Sequence, residues 1–228
     1  MRPWPLLCAL VLLPPAIPEP AAAQGIGLPG LPIGMVPVRR DLWVDSAASQ
    51  NDLAAIRRRI AAAEQAVGLT FGRLGAAPVW QVCVTPTCDK RNGMTTRAMT
   101  LGGLVITVSS RAVADAKTYV HERVHAELHR AEGFAGRRKN ALPNWFDEGM
   151  ATVISGSVGY PARRSECRAY ANWKLPPTRA AFTALSKQNG QGAGPVYKAS
   201  ACAVLAWLAQ GRTPVDAVRL LRRGRSLP

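Results

Sequence analysis

The sequence predicts one α+β domain, in which a small β-sheet packs on a central helix and a helical lobe completes the chain. Three observations predict it. Two short β-rich runs, Val79 to Val84 and Leu104 to Val108, are each bounded by turn residues. A long helical pattern carrying the pentad His121-Glu122-Arg123-Val124-His125 follows directly after the second run. Beyond Glu148 the periodicity is helical throughout. About 190 residues follow the N-terminal linker, enough for a single domain with a real core, and no internal repeat divides them.

Residues 1–23 place Arg2 before a short apolar run, Leu6 to Leu13, and end in Ala21-Ala22-Ala23, the layout of a secretory signal peptide. The run is too short to span a bilayer, and no later segment reaches the ~18 apolar residues a transmembrane helix needs. Cys8 lies inside the run without small residues before it, which argues against a lipoprotein anchor. Residues 24–40 read as a Gly/Pro-rich linker, with repeated Gly-Leu-Pro steps from Gly25 to Pro37, and residues 41–228 as the folded domain.

Within the domain, Ile56, Ile60, Ala63 and Val67 mark an amphipathic helix over Asn51 to Val67, ended by Gly68. Asp115 is placed to cap a helix over Ala116 to Glu132, with Gly133 as a left-handed stop and Val120, Val124 and Leu128 as its buried stripe. Asn144 reads as the N-cap of the next helix, with Asp147 completing a capping-box-like pair. Trp145, Phe146, Met150, Val153 and Ile154 form its core face. Three further helices are expected over Thr178 to Lys187, Val196 to Gln210 and Thr213 to Arg223.

The pentad carries the chemistry. Residues four apart on a helix share one face, about 6 Å apart along the axis, so His121 and His125 can reach one metal ion while Glu122 points beside it. A chain of this length contains H-E-x-x-H by accident in roughly one case in two hundred, so context has to carry part of the weight. His129, the remaining histidine, lies eight residues from His121, a rise of about 12 Å that metal bonds near 2.1 Å cannot bridge. It is expected outside the ligand set. Catalytic zinc takes three protein ligands and leaves a position for water. Glu148, projecting from the first turns of the second helix, is the third candidate; its plain alternative role is to complement the positive end of that helix.

Together His121-Glu122-Arg123-Val124-His125 and Trp145-Phe146-Asp147-Glu148-Gly149-Met150-Ala151, with Glu148 23 positions after His125, resemble the gluzincin zinc metallopeptidases. Tyr197-Lys198-Ala199-Ser200-Ala201 resembles the Tyr-x-Lys-Gly segment of the aminopeptidase branch, with Ala199 in place of the glycine. The resemblance spans about residues 80 to 215. It implies a minimal zincin fold, a Zn2+ cofactor held by His121, His125 and Glu148, and a peptide or protein substrate bound by backbone pairing to the edge strand that corresponds to Leu104 to Val108. It also implies Tyr197 as the donor that stabilises the transition state. Tyr160, after the flexible Ser155-Gly156-Ser157-Val158-Gly159 run, is the rival. Many gluzincins carry an acidic residue four positions after the glutamate ligand, where this chain has Thr152. The partner of a histidine ligand is therefore open between Asp147 and Glu127. In the expected mechanism zinc brings the pKa of its water to about 7, Glu122 takes the proton as general base, and Tyr197 donates to the oxyanion.

Four cysteines follow the signal peptide, and export makes disulfides the default. Of three pairings, Cys83 with Cys88 and Cys167 with Cys202 is favoured. The second bridge would tie the segment after Glu148 to the Tyr197 helix. Loss of residues 1–23 removes one arginine and one glutamate, so the net charge stays at +15. Such a surface attracts anionic polymers, with an envelope polymer as candidate partner. Nucleic acid is not expected, because the chain is exported and carries no nucleic-acid motif. The basic clusters Arg57-Arg58-Arg59, Arg137-Arg138-Lys139 and Arg222-Arg223 are spread along the chain and also suit solvated faces. Two further readings remain: a deformylase-like hydrolase with a cysteine ligand, and a non-catalytic zinc protein of the envelope that binds anionic polymers. Export disfavours the first. Glu122, which a structural site would not need, disfavours the second.

Overall fold

The computed structural model describes residues 32–157, 159–161, 164–188 and 194–228; the predicted signal peptide and most of the predicted linker lie outside them. The chain is a mixed α/β protein. Its strands are β1 (Met35–Arg39), β2 (Leu42–Asp45), β3 (Val79–Val82), β4 (Ala98–Leu101) and β5 (Val105–Val108). Its helices are α1 (Gln50–Phe71), α2 (Pro86–Arg91), α3 (Ala116–Arg138), α4 (Asn144–Ser155), α5 (Arg179–Gln188), α6 (Gly194–Leu208) and α7 (Pro214–Arg222), with a 3-10 segment at Arg164–Tyr170.

One sheet holds all five strands in the order β1-β2-β3-β5-β4. β2, β3 and β5 run parallel, while β1 and β4 are antiparallel edges. Parallel neighbours need a crossover, which α1 supplies between β2 and β3. Period-two alternation puts Leu42 and Val44, Trp80 and Val82, and Ile106 and Val108 on one face. There they meet Ile56 and Ile60 of α1 and Tyr119 and Ala126 of α3. A second core lies on the other side of α3, where Val124 and Leu128 pack with Phe146 and Met150 of α4, Val204 and Trp207 of α6, and Leu221 of α7. Each of these large apolar side chains contributes about 1.5–3 kcal/mol when fully buried. α3 is thus held from both sides, and the histidines it carries sit on a rigid element.

Several boundaries differ from expectation for identifiable reasons. β1 falls inside the predicted linker: the chain reverses at Arg40–Asp41 and pairs Met35 to Arg39 with β2. Pro37 is tolerated because β1 is an edge strand, and the register shifts beside it. α1 runs through Gly68 to Phe71 and stops at Gly72, whose φ is 75°. Phe71 is buried in the helical core, and that burial outweighs the ~1 kcal/mol that a helical glycine costs. Gly133 breaks α3 as expected, with φ 63°, but helical structure resumes and reaches Arg138. The N-cap of α4 is Pro143, with Asn144 inside the helix, so the expected capping box does not form. Leu104 to Val108 is an inner strand, and the sheet edge on that side is β4, which the sequence reading did not assign.

Both expected disulfides are present, Cys83–Cys88 and Cys167–Cys202. The first joins a small cluster with Met35 and Trp43. The second ties the 3-10 segment to α6. Among the described residues no helix is long and apolar enough to cross a membrane.

Candidate metal centre

α4 lies along α3, with Phe146 and Met150 one turn apart on its core side. Asp147 and Glu148, between them in sequence, reach the histidines of α3. Gly149 lets α4 approach α6 closely, since a Cβ there would lie 2.5 Å from the backbone oxygen of Ser200. The apolar pattern of two helices therefore determines where three polar side chains meet.

Nε2 of His121 is 3.3 Å from Oε2 of Glu148, and Nε2 of His125 is 3.5 Å from the same oxygen. One potential ligand atom from each of the three residues lies within 4.8 Å of the other two. The opposite ring nitrogens are engaged elsewhere: Nδ1 of His125 donates to Oδ1 of Asp147 at 2.7 Å, and Nδ1 of His121 lies 3.1 Å from Oγ of Ser157. With Nδ1 engaged in this way, Nε2 of each ring is the atom that faces Glu148, and a ring that releases its Nε2 proton offers there the lone pair that metal ligation requires. Two imidazoles and a carboxylate form a donor set that suits zinc, so these residues fit the expected ion.

Asp147 settles the question left open by Thr152. Its two oxygens accept from two histidines, Oδ1 from His125 and Oδ2 from Nε2 of His129, the latter also at 2.7 Å. Glu127 is committed elsewhere: it accepts from the backbone of Gly75 and Ala76 and faces Arg123 and Arg222. Thr152 is buried and its hydroxyl has no partner among the described residues. His129 thus adjoins His125 in two ways, through Asp147 and by ring stacking at 5.7 Å between centroids. A second triad, His125, His129 and Asp147, also brings potential ligand atoms within 4.8 Å.

The electrostatics reflect two carboxylates facing a histidine row. Burial raises the Asp147 pKa, but His125 and His129 beside it hold the carboxyl far below its usual range. Burial likewise opposes ionisation of Glu148, yet His125 and His121 bring its pKa down to about 2. For His125 burial favours the neutral ring, and Asp147 and Glu148 overcome it and raise the pKa well above the ordinary value. Carboxylates that hold a proton on His125 also favour a divalent cation in its place.

Glu122 is buried beside this centre, and Oγ1 of Thr100, on edge strand β4, lies 2.7 Å from its Oε2. A cleft of about 770 Å³ opens over these groups, lined on one side by residues 95–100. Tyr197 lines it too, with its ring centroid 6.3 Å from that of His121. Burial first, and then the charges of Glu148 and Glu122, keep its hydroxyl protonated far above neutral pH. Tyr160 is 44% exposed and does not line the cleft. All four cysteines of the domain are bridged, so no thiol is available as a ligand.

Thr100, Ser157 and the double role of Asp147 escaped the sequence reading. Thr100 and Ser157 lie in a short strand and a turn with no motif. For Asp147 the sequence left a bond to a histidine open against Glu127, and what it did not foresee is the second bond, to His129. No protein-family model, curated protein or solved structure matches the chain.

Proposed function

We propose that the chain is an exported zinc-dependent peptidase of the gluzincin type with a minimal zincin fold, its zinc held by His121, His125 and Glu148. The observation that carries this reading is the convergence of those three residues with Glu122 buried beside them, its carboxylate oriented by Thr100. Zinc bound there supplies Lewis acidity, which polarises a carbonyl and eases deprotonation of water.

The chain's own residues do the rest. Thr100 occupies Oε2 of Glu122 and leaves Oε1 to take a proton from the attacking water. Glu122 then gives that proton to the amine nitrogen as the C–N bond breaks, which leaves a carboxylic acid on one product and an amine on the other, and the acid passes its remaining proton to the amine or to solvent. Tyr197, protonated at neutral pH, donates to the carbonyl oxygen as it gains negative charge. Asp147 fixes the ring of His125. β4 offers a sheet edge beside the cleft along which an extended peptide can pair by backbone hydrogen bonds. Two disulfides support residence in an oxidising compartment.

The competing function, a non-catalytic zinc protein that binds anionic envelope polymers, predicts a closed metal site and no role for Glu122. Elemental analysis of the exported chain should find one zinc, lost in His121→Ala, His125→Ala and Glu148→Ala. Full zinc in Glu148→Ala would remove the ligand set. Glu122→Gln should keep the metal and lose chelator-sensitive cleavage of a mixed peptide library, and undiminished cleavage would remove the general base.

A further inference from the structure

The geometry points to a substrate that carries a carboxylate next to the bond presented to His121, His125 and Glu148, with Arg179 as the residue that selects it. This assignment rests on the peptidase reading and adds the charge of its substrate.

Four arginines line the cleft, Arg97, Arg111, Arg137 and Arg179. Two of them are neutralised by acids of the same cleft: Arg97 pairs with Asp115 at 3.1 Å, and Arg137 lies 3.7 Å from Glu132. Arg111 is clamped by the carbonyls of Met94 and Thr96, which orient its guanidinium and leave its charge uncompensated. Arg179 differs from all three. It has no hydrogen bond or ion-pair partner among the described residues, it is exposed, and it shares the cleft lining with Tyr197.

Arg179 lines the same cleft as His121, His125 and Glu148. Its place in the chain does not serve the helix, because it is the first residue of α5, the end where a positive charge is unfavourable. A free guanidinium at that position suits an external anion. The planar fork of arginine matches a carboxylate with two parallel hydrogen bonds, a geometry that neutral or cationic substrates cannot use.

The rest of the cleft explains why the anion needs such a seat. In the zinc-loaded centre that the peptidase reading requires, a substrate carboxylate would be drawn to the metal in place of the carbonyl unless a cation holds that group aside. The net charge of +15 brings anionic ligands to the surface, and Arg179 gives them one orientation within the cleft. The carboxylate can belong to an acidic side chain or to the C-terminus of a short peptide.

The test uses the full exported chain carrying Glu122→Gln, which binds without turnover, and three peptides that differ at one position as Glu, Gln or Lys. Each peptide is made with a free and with an amidated C-terminus, and binding is followed by calorimetry. A carboxylate should tighten binding by roughly tenfold over the neutral peptide, as expected for a charge-assisted bidentate contact. Arg179→Ala should erase that difference and Arg179→Glu should favour the Lys peptide. Arg57→Ala, an equal loss of charge on the exposed side of α1, should leave it intact. A preference that follows the side chain assigns the site to acidic residues, and one that follows the free terminus assigns it to the terminal carboxylate. Equal binding of every peptide, or a preference for acids that survives Arg179→Glu, overturns the proposal. Cleavage of the same peptides by the unmodified chain separates the two readings. Charge-selective binding without any cleavage rejects the peptidase and keeps Arg179, whereas cleavage indifferent to charge rejects Arg179 and keeps the peptidase.

Discussion

Asp147 accepts from two imidazoles at once, and this governs how the centre responds to pH. In the metal-free chain the raised pKa of His125 contributes stability that is full below the ordinary value of 6.5 and is lost as pH rises through the folded pKa. Glu148, lowered from 4.5 to about 2, contributes stability that is present above pH 4.5 and is lost as pH falls through about 2. Metal-free protein should therefore melt highest between about pH 4.5 and 6.5. Zinc needs the neutral ring, so the rise in Tm on adding zinc should grow with pH as the His125 proton becomes easier to release. Melting curves with and without zinc across pH 5 to 8 check this, and an increment that does not vary with pH contradicts it. Tyr197 makes a separate prediction. If its hydroxyl donates only as charge develops, Tyr197→Phe lowers turnover by roughly 10² to 10³ with little change in affinity or zinc content. Tyr160→Phe should leave turnover unchanged, since Tyr160 lies outside the cleft. Loss of activity in Tyr160→Phe alone would move the donor to the turn after α4.

The centre depends on how closely helices approach, and α4 is the sensitive element. Gly149 faces backbone of α6 and γ-carbon of Val204, with the nearest atom 2.5 Å from where a Cβ would stand. Backbone cannot rotate away as a side chain can, so Gly149→Ala has to push the helices apart. We expect a loss of about 1–3 kcal/mol in stability, the usual range for overpacking. Because Glu148 and Asp147 ride on the same helix, zinc affinity should fall with it. Gly194→Ala is the matched control, since no atom of the described residues lies within 4 Å of its added Cβ and its backbone is helical. Equal melting temperatures and zinc affinities for the two variants would show that α4 is not held by this contact. At the same scale, α1, α3 and α7 were legible because apolar spacing and caps agree. Ser49 and Thr213 cap α1 and α7 with reciprocal bonds to Asp52 and Asp216. β1 and β4 were not, because an edge strand buries few side chains and so carries little alternation to read.

For the whole molecule, the two cores and two bridges divide the labour. The candidate ligands lie on α3 and α4, which Cys167–Cys202 does not join; that bridge ties the 3-10 segment to α6, the helix of Tyr197, which in turn packs on α4. Replacing both Cys167 and Cys202 with serine should lower stability by about 2–4 kcal/mol and reduce turnover, while one zinc per chain is retained. Chemical denaturation with metal analysis tests this, and loss of zinc would show that the bridge holds the ligand set itself. What the sequence by itself determined is local: the His121 and His125 pair, the helix that carries it, the buried stripe beside it, and the Cys83–Cys88 bridge across five positions. Helical spacing makes such relations a property of residues a few positions apart. Thr100 meets Glu122 across 22 positions and Asp147 meets His125 across the same separation, contacts that exist only once β4 and α4 have packed against α3. Which acid orients His125, which strand forms the cleft wall and which cleft arginine has no partner among the described residues were decided by tertiary packing, because each depends on the placement of a second element that no spacing along the chain encodes.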